Sequence, residues 1–365
     1  MSRIYLKYFL EKSPNPKFQF DSFRIYSHRP NFKEGDGKRD WIIIHSQGFR
    51  RSTDVEIKKP ANCFRAFLLG GSAAHGISSA PPYPVRHVYN DETIDAYLEK
   101  MLQKKYPNKK IEIINAAVTG YQVFQHTNYI ISELLEYSPD LMIFFDGVND
   151  HYTWNPDFKY MADNRYQFWK SRLQNPSFVG LCDYFGFFLS SYSAFGKLYC
   201  SWRLEKDAVQ NTGRTDFVRA VFKNKEELIE KHQLAAPKQF LKSIDINLLL
   251  LQHYKIKSIV CYQPLFCQRD TSLLSNQERD IKQFNLGNEP KIILYPVIKR
   301  ELEDLTAIYK APFIDMFPFY NDSAYKGKQL FIDYVHFSAM GSQVAANVLF
   351  PEVDKIISSI QEENN

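Results

Sequence analysis

The stretch Phe64-Arg-Ala-Phe-Leu-Leu-Gly-Gly-Ser-Ala-Ala-His-Gly76 decides how the chain is organised. An apolar run suited to a buried parallel strand ends at Gly70 and Gly71, and Ser72 follows, ahead of small residues that can begin a helix. Glycines let the backbone turn sharply, so the pattern predicts a serine hydroxyl at the carboxyl edge of the strand. The same residues would also suit a plain tight turn or a phosphate-binding loop. The glycine spacing fits neither G-x-G-x-x-G nor G-x-x-x-x-G-K-[ST], which disfavours the nucleotide alternative.

From residue 63 onward, apolar strand-like runs alternate with segments of helical periodicity. This alternation predicts an α/β fold with a parallel sheet covered by helices on both faces. The predicted strands begin at Phe64, Ile111, Leu141, Lys257 and Pro312. The predicted helices cover residues 91–106, the segment after Asn128 up to Pro139, the segment opened by Pro237, and residues 290–309 and 338–360.

Three later segments place small or polar residues where a strand or a turn should end. They are Ile111-Glu-Ile-Ile-Asn-Ala-Ala-Val-Thr-Gly-Tyr121, Gly147-Val-Asn149-Asp150 and Ile332-Asp-Tyr-Val-His-Phe-Ser-Ala-Met-Gly341. Together with Ser72, and in this order, they resemble the four sequence blocks of the SGNH (GDSL-like) hydrolase superfamily. The upstream stretch His45-Ser-Gln-Gly-Phe-Arg50 is similar to the lead-in of its bacterial membrane-associated members. One departure is visible, since Gly71 stands where the family usually has the aspartate of Gly-Asp-Ser.

The resemblance implies a fold and a set of catalytic residues. The fold would be a three-layer αβα sandwich around a flavodoxin-like parallel sheet of about five strands. Ser72 would be the nucleophile, His336 its general base, and Asp333 the group that orients the imidazole. The backbone N–H groups of Ser72 and Gly120 and the side-chain amide of Asn149 would bind the oxyanion. No cofactor or metal is implied.

The resemblance also implies a reaction class. The expected function is a serine esterase that cleaves O-acyl esters of a carbohydrate or lipid through an acyl-enzyme. Two alternatives remain open: an O-acyltransferase that uses the same triad, and a non-catalytic binding protein on the same fold. The aspartate missing at position 71 would be a neighbour of the nucleophile and not a triad member, so its absence does not rule out the chemistry. It leaves the substrate preference more open.

Several neighbouring residues have a less definite role. Asp150 is interpreted as structural, holding the turn that carries Asn149. His75 lies three positions after Ser72, and for it we favour helix packing or substrate contact over a role as base. Residues 151–235 form a predicted insertion rich in aromatic side chains, either a satellite core or a lid. In the lid alternative, Trp154 and Tyr160 would line the substrate pocket.

Composition and length bound the remaining properties. The 365 residues are 44% hydrophobic and 24% charged, which is typical of a globular protein with an ample core. The predicted division is an extended N-terminal arm over 1–62, a hydrolase domain over 63–150 and 236–365, and the insertion over 151–235. The net charge of +5 comes without a long basic block, so we expect no nucleic-acid partner.

Cysteine usage and hydropathy bear on the compartment. The five cysteines show no metal-binding spacing and are interpreted as free thiols, with a Cys182–Cys200 bridge as the alternative. The N-terminus is too charged for a signal peptide, and no apolar run of about 18 residues spans a bilayer. The chain as given is therefore expected to be cytoplasmic. The alternative is a periplasmic or membrane-tethered protein whose N-terminal segment is missing from this sequence, so membrane association stays open.

Overall fold

The computed structural model describes residues 17–21, 23–79, 84–152, 236–282 and 289–364. The strands are β1 (Phe18–Asp21), β2 (Ile25–His28), β3 (Lys33–Gly35), β4 (Asp40–Ile43), β5 (Cys63–Gly70), β6 (Lys110–Asn115), β7 (Leu141–Asp146), β8 (Lys257–Tyr262) and β9 (Phe313–Asp315). The α-helices of these ranges, numbered in chain order, are α1 (Ser72–His75), α2 (Ile94–Lys105), α3 (Val123–Ser132), α4 (Asn149–Tyr152), α5 (Ala236–His253), α6 (Asn276–Lys282), α7 (Glu289–Ile308), α8 (Phe317–Tyr320) and α9 (Ala339–Asn364).

A five-stranded parallel sheet forms the centre of the domain, in the order β6-β5-β7-β8-β9. The chain moves outward from β5 to β6 and then crosses back to place β7 on the other side of β5. This is the flavodoxin-like strand order, in which the direction of winding reverses between the first and third strands. Ligands of such sheets bind outside the carboxyl ends of the strands at that reversal. The predicted α/β fold class is confirmed.

Helices cover both faces of the sheet and give the domain three layers. On one face, α2 and α9 pack against alternate residues of β5 such as Ala66 and Leu68. On the other face, α3, α5 and α7 pack against Phe67 and Leu69. The central strands β5 and β7 are buried along their whole length, which explains why both read as continuous apolar runs.

The N-terminal region contains more regular structure than an extended arm. It forms two antiparallel hairpins, β1–β2 and β3–β4, and β4 overlaps the apolar sequence from Trp41 to Ile44. Tyr26, Phe49 and Val55 from this region are buried in the apolar core that α3, α5 and α7 cover. The division between arm and domain stays a prediction, but the first 62 residues contribute side chains to the core of the domain.

One predicted helix differs in its bounds. The helix expected after Asn128 begins at Val123 instead, and a separate 3₁₀ turn over Leu134–Tyr137 follows it. Gln122 and Gln125 form a reciprocal capping box at its start. Ile130 is fully buried, whereas the adjacent Ile131, which lies about 100° further round the helix, is 59% exposed.

Two further properties concern the cysteines and the possibility of a membrane span. Cys63 and Cys261 are buried free thiols, while Cys182, Cys200 and nearly all of the predicted insertion lie outside the described residues. In the described part of the chain, no helix combines the length and apolar character that crossing a bilayer requires.

Candidate active site

The turn after β5 exposes Ser72 at the carboxyl edge of the sheet, where α1 begins. Neither preceding glycine has room for a side chain. A Cβ on Gly70 would lie 2.6 Å from the Phe145 carbonyl oxygen, and one on Gly71 would lie 2.2 Å from Asn149 Nδ2. A side chain at position 71 would displace the Asn149 amide that lies beside it, which gives a local reason for glycine at this position. Ser72 itself is 9% exposed.

The Asp333–His336 segment is a tight loop whose two sides bond to each other. Phe331 and Phe337 form a β-bridge, and the Ile332 N–H donates to the His336 carbonyl at 2.9 Å. Inside the loop, Asp333 Oδ1 accepts the backbone N–H groups of Val335 at 2.9 Å and His336 at 2.8 Å. These bonds all lie within the loop, so the loop itself fixes the position of the carboxylate relative to the imidazole.

The loop brings the imidazole to the serine. His336 Nδ1 lies 2.6 Å from Asp333 Oδ2, and His336 Nε2 lies 2.7 Å from Ser72 Oγ. Asp333 is fully buried and His336 is 5% exposed. With Nδ1–H donating to the carboxylate, Nε2 carries the lone pair that accepts the serine hydroxyl proton. Ser72 and the Asp333–His336 pair, which lie far apart in sequence, form one hydrogen-bonded chain.

Asn149 begins α4, directly after β7, and its side chain reaches the nucleophile turn. Its Nδ2 donates to the Tyr121 carbonyl at 2.8 Å and lies beside Gly71, as the space at that glycine shows. Because Gly71 directly precedes Ser72, the Asn149 amide lies beside the residue next to Ser72. This position is compatible with the predicted contact to an oxyanion.

Gly120 lies in the loop after β6, which borders the same turn because the Val118 N–H donates to the Gly70 carbonyl at 3.1 Å. Gly120 has φ +82, a left-handed conformation that favours glycine. A Cβ there would approach the Tyr26 hydroxyl to 2.8 Å. That hydroxyl donates to the Thr119 carbonyl at 2.9 Å, so the N-terminal region helps to shape the loop.

Asp150 joins the Asn149 turn to the start of α3. Its Oδ1 accepts the Val123 N–H at 3.1 Å. Burial, together with the charge of the nearby Asp146, raises the pKa of Asp150 well above its usual range. Asp146 Oδ1 in turn lies 3.0 Å from Nε2 of the buried His126. These contacts agree with the structural role expected for Asp150.

His75 is fully buried and points into the protein. Its Nδ1 donates to the Ala117 carbonyl at 3.1 Å, and its ring packs 4.5 Å from the ring of His28. Burial, with the nearby cationic groups, holds the pKa of His75 well below its usual range, so the ring is neutral. These contacts favour helix packing, the first of the two expected roles. The other two predicted pocket residues, Trp154 and Tyr160, lie outside the described residues.

Arg50 is a residue of this region to which sequence reasoning gave no role. Its buried guanidinium donates to the carbonyls of His75 and Gly76 at the end of α1, and to that of Val88 at 2.7 Å. Burial lowers the pKa of Arg50 to about 10. The cation thus fixes the end of the short helix that carries Ser72. No local motif marks it, because most arginines lie at the surface.

Within the described ranges, no group of three or more His, Cys, Asp or Glu side chains converges in a way that could hold a metal ion.

No protein-family model and no curated protein matches this sequence. Similar solved structures include the acetyl xylan esterase AlAXEase, 14% identical with a TM-score of 0.42, over 80% of this chain and 100% of that one. The acetylxylan esterase Axe2 from Geobacillus stearothermophilus is 13% identical with a TM-score of 0.43, over 82% and 96%. A protein described as a GDSL-like lipase from Parabacteroides merdae is 12% identical with a TM-score of 0.43, over 83% and 100%. At this level the likeness carries no conclusion about family, activity or substrate.

Proposed function

We propose that the protein is a serine esterase of the SGNH type, which cleaves O-acyl esters of a carbohydrate or lipid through an acyl-enzyme on Ser72. The observation that carries the proposal is the continuous chain from Asp333 through His336 to Ser72, with contacts of 2.6 Å and 2.7 Å. This series of hydrogen bonds ends on the Ser72 hydroxyl, at the carboxyl edge of the sheet, where the strand order reverses. Doubly wound sheets bind their ligands at that place.

In the acylation half of the reaction, Ser72 Oγ attacks the ester carbonyl carbon while its proton passes to His336 Nε2. Asp333 Oδ2 stabilises the imidazolium that forms and keeps Nδ1 as the donor to the carboxylate. The C–O bond of the tetrahedral intermediate then breaks. His336 returns the proton to the departing alkoxide oxygen, which releases the alcohol and leaves the acyl group on Ser72.

The negative charge on the carbonyl oxygen requires donors that are already in place. In this proposal they are the side-chain amide of Asn149 and the backbone N–H groups of Ser72 and Gly120. Among the described residues, neither N–H group donates a backbone hydrogen bond. The bond from Asn149 to the Tyr121 carbonyl holds the amide in one orientation, so little reorganisation is needed when the charge develops.

Deacylation reverses these steps with a second nucleophile. His336 takes a proton from water, the resulting hydroxide attacks the acyl carbon, and Ser72 leaves with the proton. If an acceptor hydroxyl replaces water, the same residues catalyse O-acyl transfer. The product distinguishes the two reactions, since water yields the free acid and an acceptor yields a new ester.

The test is turnover of p-nitrophenyl acetate by the wild-type protein and by Ser72→Ala. We expect release of p-nitrophenol by the wild type and a rate at background in the variant, with matching circular dichroism spectra. Equal rates in the two proteins would reject the catalytic serine. If the full-length folded wild type turns over neither short nor long acyl esters, the non-catalytic binding alternative is favoured.

A further inference from the structure

A second set of buried charged groups lies outside the triad, at the start of α6. Glu278 and Arg269 are both fully or almost fully buried, and Arg269 Nε lies 3.3 Å from Glu278 Oε1. Glu278 also completes a capping box with Ser275. The Glu278 N–H donates to Ser275 Oγ at 3.2 Å, and Glu278 Oε2 accepts the Ser275 N–H at 3.0 Å. A helix cap accounts for only one of the two carboxylate oxygens.

The other oxygen extends to the chain that leads into the catalytic loop. Glu278 Oε1 accepts the backbone N–H groups of Leu330 at 2.9 Å and Phe331 at 3.1 Å. Phe331 is two positions before Asp333 and forms the β-bridge at the base of the loop. The carboxylate therefore holds one side of the loop from outside, by two charge-assisted hydrogen bonds.

Arg269 extends the same support to the carbonyls that precede this segment. Its Nη2 donates to the carbonyls of Tyr325 and Lys328, each at 3.3 Å, and its Nη1 donates to that of Tyr320. Arg269 and Glu278 together bond to the chain at Lys328, Leu330 and Phe331, just before Asp333. The other side of the loop bonds back to this segment, since the Ser338 N–H donates to the Leu330 carbonyl at 2.9 Å.

We infer that Glu278, held by Arg269, is a positioning residue for the Asp333–His336 loop. The inference rests on the proposed function. His336 Nε2 must stay within hydrogen-bond reach of Ser72 Oγ, which lies on a different element. Among the described residues, the loop pairs with no strand of the central sheet; the Phe266 N–H, from the segment that carries Arg269, donates to the Tyr334 carbonyl of the loop at 3.3 Å. A displacement of about 1 Å at a reacting group can reduce the rate about 10²-fold. By bonding to Leu330 and Phe331, Glu278 fixes the position of the loop and with it the distance between His336 Nε2 and Ser72 Oγ.

The experiment compares Glu278→Gln with Glu112→Gln. Glu112 is the matched control, because it is also buried and ion-paired with an arginine, 2.7 Å from Arg65 Nε, but lies at the amino end of the sheet, away from Ser72. The readout is the rate constant for labelling of Ser72 by a fluorophosphonate, measured well below the melting temperature of each protein. The KM for p-nitrophenyl acetate is measured in parallel.

We expect both variants to melt at a lower temperature, but only Glu278→Gln to label about 10- to 100-fold more slowly, with KM changed less than about twofold. An unchanged labelling rate in folded Glu278→Gln overturns the inference, and so does an equal loss in Glu112→Gln. If Glu278→Gln does not fold, Glu278→Asp replaces it, with the same expected result, since the shorter side chain keeps its charge and loses its reach. A wild-type protein that does not label at Ser72 rejects the proposed function, and the inference with it.

Discussion

The two ends of the central sheet both contain buried polar side chains, but they use them differently. At the amino end, the Arg65 guanidinium lies 2.7 Å from Glu112 and donates to the Tyr137 carbonyl, and Lys110 adds a second ion pair to Glu112 at 2.8 Å. At the carboxyl end, the chain of contacts that starts on the buried Asp333 ends on the Ser72 hydroxyl.

The two arrangements differ in whether a proton can pass between the buried groups. At the amino end opposite charges meet directly, so neutralising either partner alone would leave the other as an uncompensated buried charge. At the carboxyl end an imidazole separates the carboxylate from the hydroxyl, and in the proposed mechanism a proton moves from Ser72 to His336 while Asp333 stabilises the imidazolium. Burial and hydrogen bonding alone do not mark an active site.

The largest contrast is expected between Asp333→Asn and Asp140→Asn. Asp140, at the amino end, bonds to Lys59 at 2.5 Å and accepts the Arg65 N–H at 2.8 Å. Asp333→Asn should lower kcat for ester turnover by about 10⁴, because an amide favours the wrong imidazole tautomer. Asp140→Asn should lower the melting temperature and leave kcat within about twofold. Comparable kcat in the wild type and Asp333→Asn would remove Asp333 from the triad.

A smaller loss is expected when the oxyanion donor is removed or displaced. Asn149→Ala should lower kcat by about 10²–10³ with little change in KM. Gly71→Ala should have a similar effect, because the added methyl group occupies the space of the Asn149 amide while the backbone at residue 71, with φ −88, accepts alanine.

The double variant decides whether the two changes act on the same group. If Gly71→Ala acts through the amide, combining it with Asn149→Ala should cost no more than the single Asn149 change. Steady-state kinetics with p-nitrophenyl acetate measures all three. Fully additive losses would show that Gly71 acts independently of Asn149.

Much of the fold could be predicted from the sequence because its signals are local. The run from Phe64 to Gly70 is buried along its whole length, so its apolar character depends little on which neighbours cover it. The predicted role of Ser72 depended on the order of four blocks, since nothing local indicates that His336, 264 residues away, lies within hydrogen-bond distance.

What the sequence did not reveal depends on tertiary contacts. The hairpins of the N-terminal region were missed because their strands are three or four residues long, too short for an alternating pattern to stand out. Arg50 carries no local signature, whereas Ser275 and Glu278 fit the Ser-x-x-Glu capping pattern and could have been noticed. Even so, the capping pattern does not predict the second contact of Glu278, to Leu330 and Phe331.

The smallest effects on activity are expected for Glu112→Gln at the amino end and Asp150→Asn at the carboxyl end. The two substitutions should change stability with opposite dependence on pH. Burial would raise the pKa of Glu112, but its bonds with Lys110 and Arg65 outweigh burial and lower it. A lowered pKa means that the ionised group stabilises the fold at neutral pH, and this contribution is lost as the pH falls through the folded pKa. Glu112→Gln should therefore lower stability by about 3 kcal/mol at pH 7, and by less in acid.

The contribution of Asp150 to stability depends on pH in the opposite direction. Because its pKa is raised, the folded chain retains a proton that the unfolded chain releases, so its contribution to stability falls as the pH rises. Asp150→Asn should therefore be more stable relative to the wild type at pH 8 than at pH 4. Thermal melts of both variants across this range measure the two trends. Parallel trends for Glu112→Gln and Asp150→Asn would contradict the contrast between the two ends.

The central claim is that Ser72 forms the covalent bond to substrate, and the most direct test is the site of modification by a fluorophosphonate. Intact-mass and peptide mass spectrometry of the treated wild-type protein should find a single adduct, on the peptide that contains Ser72. The same treatment of Ser72→Ala should give none. An adduct that persists in Ser72→Ala, or a folded wild-type protein that acquires none, would contradict the account.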